Sequence, residues 1–428
     1  MLTVGSLFEG IAVDVDYIGQ GIVKHEDLVI FVKGLLLGER ATIRIKSLKK
    51  RFAEGSIVSI QEVSKDRRDH VDTQLGSMDL LHMKDEAQLK WQSKLTKDTL
   101  MKIGGITSEI EPIITDNNFF NYRNKNVFHV MEKPVLTLGL YHEDGRGLVQ
   151  FKSFILADVI TNQILEKLST SNIYIDFKVF KQMAIRTNQE GQALITLIAT
   201  QKTFKGLSHL LNVIHNMKYV CGVTLNIKDD VKKIFGKDSI VLQGKNVIEE
   251  KIGDWVFPVT DQSFFQINIP VIQKAYDLIK KNIIPKSYVI DAYSGVGSIG
   301  YYISDQAKKV VMIESNADAI SMAQRIKEEK GLQHVEILQG QVETLIQDHQ
   351  ADVLVVDPPR NGLMPELIDT LIAHPFKQMF YLSCDLKTLA RDLGLLKNVY
   401  TIEHVYPIRM FPQTTECETL VVLKHQSH

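Results

Sequence analysis

Cys384 ends an apolar, aromatic-rich run, Gln378-Met379-Phe380-Tyr381-Leu382-Ser383, and is followed by Asp385 and a helical pattern from Leu386 onward. This predicts a thiol at the carboxyl end of a buried strand, where open α/β sheets keep their reactive groups. A helix amino terminus just beyond it favours the thiolate, which is the nucleophilic form. A thiol standing alone in such a place is more often a small buried apolar residue, so its companions decide the reading.

The first companion is a loop, Asp291-Ala292-Tyr293-Ser294-Gly295-Val296-Gly297-Ser298-Ile299-Gly300, which follows the apolar run Tyr288-Val289-Ile290. It contains G-x-G-x-x-G in strand–loop–helix context, and Glu314 ends the next apolar run, where an acid can accept ribose hydroxyls. Such a loop serves nicotinamide dinucleotides or S-adenosylmethionine. Asp291 just before the glycines favours the latter, as does Asp357-Pro358-Pro359-Arg360 after a later strand. The Pro-Pro pair stiffens that loop and removes amide donors, which suits the framing of a flat base. Its fourth residue is Arg360 rather than tyrosine, so attack on an exocyclic amine is not indicated.

The elements that must hold these groups follow from pattern. From about residue 257, runs of buried-strand length (288–290, 310–313, 353–356, 379–382) alternate with helical stretches (317–327, 365–373, 386–393). Alternation of this kind predicts a parallel sheet covered on both faces. Residues 400–409 and 417–423 have no helix between them and are expected to close the sheet as an antiparallel pair. Residues 1–62 read instead as short strands split by glycine turns, a small OB-like β-barrel. Within them Gly19-Gln20-Gly21-Ile22-Val23, Phe31-Val32-Lys33-Gly34 and Leu37-Gly38-Glu39-Arg40 resemble the TRAM domain of RNA-modifying enzymes. Between lies a central α+β region, 63–256, opening with a helical segment near 84–103 that is expected to pack on the catalytic part. In it Tyr122-Arg123-Asn124-Lys125 sets an aromatic among cations and amides, a composition suited to phosphate and base contacts.

The whole chain bounds the rest. Its 428 residues suffice for two or three cores; 44% are hydrophobic and 24% charged, with net charge −1. That balance does not announce a nucleic-acid binder, although Lys46, Lys49, Lys50 and Arg51, then Lys65, Arg67 and Arg68, form local basic knots. Three separated cysteines, Cys221, Cys384 and Cys417, make neither a disulfide framework nor a metal cluster. There is no apolar run of membrane-spanning length and no leader pattern at the amino terminus, and with the separated cysteines a reducing cytoplasm is the expectation; a monomer is expected.

Together with Asp357-Pro358-Pro359-Arg360-Asn361-Gly362, three further segments carry a family resemblance: Tyr381 to Asp385 with Thr388-Leu389-Ala390-Arg391-Asp392, Met410-Phe411-Pro412-Gln413-Thr414 ending in Glu418, and Ser263-Phe264-Phe265-Gln266-Ile267-Asn268. With Tyr122 to Lys125, they resemble the RNA uracil-5-methyltransferase family over nearly the whole chain. The resemblance implies an α/β chain: a Rossmann-like S-adenosylmethionine domain (257–428), an amino-terminal TRAM barrel and a central RNA-binding domain. It implies methylation of carbon 5 of a uridine in RNA, with 23S ribosomal RNA favoured by the TRAM-like barrel; a transfer-RNA enzyme or a catalytically weak RNA-binding homologue is the alternative. A nicotinamide oxidoreductase would rest on the glycine loop alone. Cys384 would be the nucleophile and Glu418 the proton acceptor. Gln266, Tyr293, Glu314 and Asp357 would contact S-adenosylmethionine, with Asp291 and Gly295 shaping the loop beside it. Tyr122, Arg123, Lys125, Phe264 and Phe265 would face RNA.

The sequence departs from the family in three places. Many members hold an iron–sulfur cluster on four cysteines; here Leu75 and Met78 stand at two of those places, with Asp69 and Ser153-Phe154 near the others. No cluster is expected. Asp385 replaces the asparagine after the nucleophile, and its charge, close to the thiol, would raise the thiol pKa. Glu416-Cys417 replaces a His-Val pair before Glu418.

Overall fold

The computed structural model describes residues 2–69, 75–142, 144–230 and 232–426. Strands β1 (Leu7–Val15), β2 (Gln20–His25), β3 (Leu28–Lys33), β4 (Arg40–Leu48) and β5 (Phe52–Glu62) close into a barrel in the order β1-β2-β3-β5-β4. Alternate residues of β4 (Ala41, Ile43, Ile45) meet Val23, Ile30, Val32 and Ala53 in its interior, as the two-residue period of a half-buried strand requires.

Helix α1 (Asp85–Thr99) leaves the barrel and ends in a π-turn, Leu100–Gly104. Leu100 packs with Leu389, Ala390 and Leu393 of the carboxyl-terminal part, and Gln92 Nε2 donates to the carbonyl of Ile408 at 2.9 Å. The central part contributes β6 (Lys125–Val130), β7 (Leu138–Tyr141), β8 (Leu148–Gln150), α2 (Val159–Ser169), β9 (Phe180–Thr187), β10 (Ala193–Ala199), α3 (Leu207–His215), β11 (Val220–Ile227) and β12 (Asp238–Gly244). Its sheet runs β12-β11-β10-β9-β6-β7-β8. A hairpin, β13 (Val247–Ile252) and β14 (Trp255–Thr260), then puts Ile252, Phe257 and Val259 into the next core.

That next unit alternates α4 (Ile269–Asn282), β15 (Tyr288–Ala292), α5 (Ser298–Ile303), β16 (Lys309–Glu314), α6 (Ala317–Lys330), β17 (Val335–Gln339), α7 (Val342–Leu345), β18 (Val353–Val356), α8 (Pro365–Ala373), β19 (Gln378–Ser383) and α9 (Leu386–Leu396), before β20 (Tyr400–Ile408) and β21 (Glu418–His425). The sheet order is β17-β16-β15-β18-β19-β21-β20, with only the β19-β21-β20 pairings antiparallel. Its strands are apolar without alternation because both faces are covered: Val289, Val355, Phe380 and Leu382 face one core, while Ile290, Leu354, Val356, Met379 and Tyr381 face the other. The expected strands and closing pair are all present; β17, whose Val335-Glu336-Ile337-Leu338-Gln339 reads as strand only weakly, is the addition.

Candidate active site

Strand register gathers the site. Parallel pairing of Ala292 with Ile313 and with Val356, and of Val356 with Tyr381, brings Tyr293, Glu314 and Asp357 to one edge of the sheet, each just past or at a strand end. Across the antiparallel seam Ser383 pairs with Thr419, so Cys384 and Glu418, one step further, face each other at that same edge. Five residues separated by up to 125 positions thus converge, four through parallel strands ending at one edge and Glu418 because β21 runs backwards beside β19.

Cys384 is half-buried. Burial pushes its thiol up to about 11, and the carboxylates of Glu418 and Asp357 push the same way, while Arg360 opposes them. Asp385 has a different task from the one expected. It caps α9, its Oδ1 accepting from the backbone N–H groups of Lys387 at 3.0 Å and Thr388 at 2.9 Å, and the charges that raise the thiol are Glu418 and Asp357. An Asp immediately before a helical pattern is an N-cap signal, so this role was readable from sequence. The capped helix buries Leu386, Leu389, Ala390 and Leu393 and fixes the position of Cys384 at its start.

Glu418 is buried, and its Oε2 has no hydrogen-bond partner. Burial, then Asp357 and Glu416, push its carboxyl up to about 8. Burial alone pushes Asp357 up to about 7. The loop after Asp357 is tied to α9: Thr388 Oγ1 donates to the carbonyl of Arg360 at 3.1 Å and Arg391 Nη2 to that of Asn361 at 2.9 Å. The Arg360 guanidinium in turn pairs with Glu416 Oε2 at 2.9 Å, both side chains open to solvent. This pair accounts for the Glu416 departure. Cys417 lies on the opposite side, buried among Leu36, Leu80, Met83, Ala87 and Trp91, where the barrel, α1 and the closing strand meet.

The glycine loop is built for close approach. Asp291 is buried; its Oδ2 accepts from Gly300 N–H at 2.8 Å, its Oδ1 has no partner, and burial raises it to about 7. A methyl group on Gly300 would sit 2.8 Å from that carboxylate, so glycine is required there. Gly295 has φ 56° and open space where a side chain would stand, and its N–H donates to Glu314 Oε2 at 2.9 Å. Glu314 Oε1 takes the N–H groups of Ser315 and Asn316, each at 2.7 Å. Tyr293, also left-handed at φ 59°, donates its hydroxyl to Glu343 Oε1 at 2.6 Å. Gln266 is buried in the segment before α4, its carbonyl accepting from Asn124 Nδ2 at 3.2 Å. An open left-handed turn, a strand-end acid and partnerless buried carboxylate oxygens fit a nucleoside-bearing methyl donor such as S-adenosylmethionine.

The residues expected at RNA divide. Phe264 is 81% exposed. Phe265 is a correction: it is buried, its ring 5.6 Å from that of Phe257, because the chain turns inward to start α4. Tyr122 is another, buried with its hydroxyl donating to the carbonyl of Pro412 at 2.9 Å. Arg123 is partly buried, and its Nε is enclosed without a partner. Lys125 turns its Nζ to the carbonyls of Ser263 at 3.3 Å and Gln262 at 3.5 Å, and burial lowers its pKa to about 7. It braces the turn that presents Phe264 rather than standing free at the surface.

Leu75 and Met78 pack with Phe154 in the central core. With no thiol at those positions, the residues present do not fit an iron–sulfur cluster. Among the described residues no helix is long and apolar enough to cross a membrane.

Family models match three stretches: the TRAM domain at residues 7–58, the methyltransferase small domain at 275–378, and tRNA (Uracil-5-)-methyltransferase at 339–426. A protein of Clostridium tetani described as an uncharacterized RNA methyltransferase is 31% identical over 431 residues, covering 95% of this chain and 94% of its own. One of Enterococcus faecalis, described likewise, is 30% identical over 433 residues, with 95% and 94% covered. Among solved structures, the Pyrococcus abyssi tRNA (uracil-54, C5)-methyltransferase in complex with S-adenosyl-L-homocysteine superposes with a TM-score of 0.79 at 21% identity, covering 97% of this chain and all of that one. At that identity the likeness speaks for the fold. The sequence relationships and the matched segments carry the assignment: this chain belongs to the RNA uracil-5-methyltransferase family.

Proposed function

We propose that this enzyme methylates carbon 5 of a uridine in structured RNA through a covalent adduct between Cys384 and carbon 6 of the base. The observation that carries the reading is the facing pair at the sheet edge, a half-buried thiol opposite a buried carboxylate with a partnerless oxygen. Carbon 5 of uracil is a poor nucleophile. Addition of the Cys384 thiolate to carbon 6 makes the ring an enolate whose carbon 5 can attack an electrophile, splitting one hard step into easier ones. S-adenosylmethionine, when bound by Gln266, Tyr293, Glu314 and Asp357 beside the Asp291–Gly300 loop, supplies an electrophilic methyl group. Glu418 then takes the proton from carbon 5, the electron pair re-forms the 5,6 double bond, and the thiolate leaves. A pKa raised to about 8 suits a base that must accept a proton near neutrality. A stacked or paired uridine hides carbon 6, so the target is single-stranded or flipped out, and the exposed Phe264 is available to stack on it.

For the RNA, 23S ribosomal RNA is one reading, resting on the resemblance of the barrel to TRAM domains. A second, transfer RNA, is favoured by the family name matched at residues 339–426. The barrel does not choose between them, since the Pyrococcus abyssi enzyme, described as acting on tRNA, is matched over 97% of this chain. We also propose that the enzyme works as a monomer without an iron–sulfur cluster. Unmodified 23S RNA and unmodified tRNA, each incubated with enzyme and labelled donor and then mapped by mass spectrometry, test the assignment. Label in tRNA alone, or on a base other than uracil, would overturn it.

A further inference from the structure

With Tyr122 and Phe265 buried, exposed aromatic rings near the site must be sought elsewhere, and one lies against the helix that begins just after Cys384. Tyr17 belongs to the barrel's turn between β1 and β2, yet its ring lies under the Lys387 ammonium, 3.5 Å from ring centroid to Nζ. Lys387 is in the first turn of α9, three residues after Cys384. Tyr17 nonetheless remains 51% exposed.

The turn is held firmly. Trp91 Nε1 donates to the carbonyl of Asp16 at 3.0 Å, and Asp16 Oδ1 accepts from the N–H groups of Ile18 at 3.0 Å and Gln20 at 2.7 Å. Gly19 fits so closely against Leu80 and Thr415 that a side chain there would come within 2.7 Å of Leu80. Thr415 itself precedes Glu416, whose carboxylate pairs with Arg360. The barrel turn, the start of α9 and the Arg360 loop therefore form one rim.

We propose that Tyr17 and Lys387 together bind the nucleotide next to the target uridine, its base on the tyrosine ring and its phosphate on the ammonium. The inference rests on the uridine-methylating function proposed above. A uridine that leaves its stack exposes the face of its neighbour, and an aromatic ring replaces that lost contact without reading sequence. A cation on the same ring is positioned for the adjoining phosphate, a contact that fixes register. The barrel thus contributes to substrate positioning at the active site itself, through a residue far from Cys384 in sequence.

The test uses an RNA fragment carrying the mapped uridine, made with the natural flanks or with an abasic residue at either neighbour. Dissociation constants and single-turnover methylation are measured for wild type, Tyr17→Ala, Tyr17→Phe and Lys387→Gln. Tyr17→Ala should weaken binding and raise KM by about tenfold, the scale of one lost base–aromatic stack, with the rate at saturating RNA within about twofold. Tyr17→Phe should bind like wild type. One abasic flank should weaken wild-type binding by a similar factor and weaken Tyr17→Ala no further. Lys387→Gln should reduce the slope of log Kd against log salt by about one. Equal binding of natural and abasic RNA by the wild-type enzyme would overturn the proposal, and that arm needs no folded variant. An unchanged KM in Tyr17→Ala would overturn it too. A wild-type enzyme whose binding responds to the abasic flank but which forms no adduct with the 5-fluorouridine form of the fragment would strike the proposed covalent chemistry instead and leave the platform standing.

Discussion

Cys384 and Glu418 stand opposite each other, one step beyond the paired Ser383 and Thr419, at the point where antiparallel β19 and β21 part. A thiol and an acid so placed can act on neighbouring carbons of one ring. RNA containing 5-fluorouridine should therefore trap a denaturation-resistant adduct, because fluorine does not leave as a proton does. Cys384→Ala should abolish the adduct and lower methylation by at least about 10³-fold. Glu418→Gln with ordinary RNA should accumulate the methylated adduct, visible as a retarded band on a denaturing gel; normal turnover in that variant would remove Glu418 from its role.

Raised values at both groups give the reaction a direction in pH. The thiol at about 11 and Glu418 at about 8 are both more active when deprotonated. Single-turnover adduct formation should rise steadily from pH 6.5 to 9 as the thiol ionises, while release of the methylated product, which needs Glu418 deprotonated, should fall as pH drops below about 8. Arg360 lowers the thiol pKa, so Arg360→Gln should raise it and slow the reaction several-fold at pH 7.5. Glu416 raises the Glu418 pKa, so Glu416→Gln should move the acid limb to lower pH. A profile that stays put in both variants would refute these electrostatic roles.

Asp291 provides a stability test. Its folded pKa, about 7, lies above the unfolded value near 3.8. A group raised in this sense contributes stability fully present below the unfolded pKa and lost as pH rises through the folded one. Asp291→Asn keeps an oxygen for the Gly300 N–H but no longer ionises. Its melting temperature relative to wild type should therefore improve between pH 5 and pH 8. A constant or declining difference across that range would contradict the burial argument.

Adjacent phenylalanines should behave oppositely. Phe265→Ala should cost about 3–5 kcal/mol of stability by opening the core against Phe257. Phe264→Ala, at an 81% exposed position, should leave the unfolding midpoint within about 0.5 kcal/mol while reducing adduct formation. Chemical denaturation and the fluorouridine assay separate the two.

Protein purified without oxygen should contain no iron and no acid-labile sulfide, and chelators should not change its melting temperature. Leu75 and Met78 pack as apolar side chains in the central core. Stoichiometric iron in the purified protein would show that ligands come from elsewhere.

The alternation of buried runs with helical stretches made the catalytic sheet legible, because strands covered on both faces must be apolar throughout. Cys384, Asp357 and Glu314 were legible as strand-end groups of one parallel sheet, whereas Glu418 joined them only through family likeness. Their meeting depends on strand order and on the reversed β21, neither of which is written in local pattern. The burial of Tyr122 and Phe265 and the partial burial of Lys125 were not legible for one reason: an aromatic or a cation in a polar run gives no sign of whether another segment will cover it. Here Pro412, the Gln262–Ser263 turn and Phe257 do so, from at least eight and as many as 290 positions away. Asp385 was readable as a helix cap from its place alone. The Tyr17–Lys387 contact was not, since nothing local joins a barrel turn to a catalytic helix.

Gln88 of α1 donates from Nε2 to Gln413 Oε1 at 2.7 Å, across 325 positions of chain, and accepts from Arg409 and from the Gln413 N–H; Tyr122 bonds to Pro412 across 290. The segment leading into β21 is thus anchored by residues from the first third of the molecule. Loops of that length close late, after local structure has formed. Placement of Glu418 should therefore be among the slowest events of folding, and a partly folded chain would hold a finished glycine loop before Glu418 faces Cys384. In refolding, recovery of S-adenosylmethionine binding should precede recovery of methylation, with the delay set by docking of the 409–418 segment.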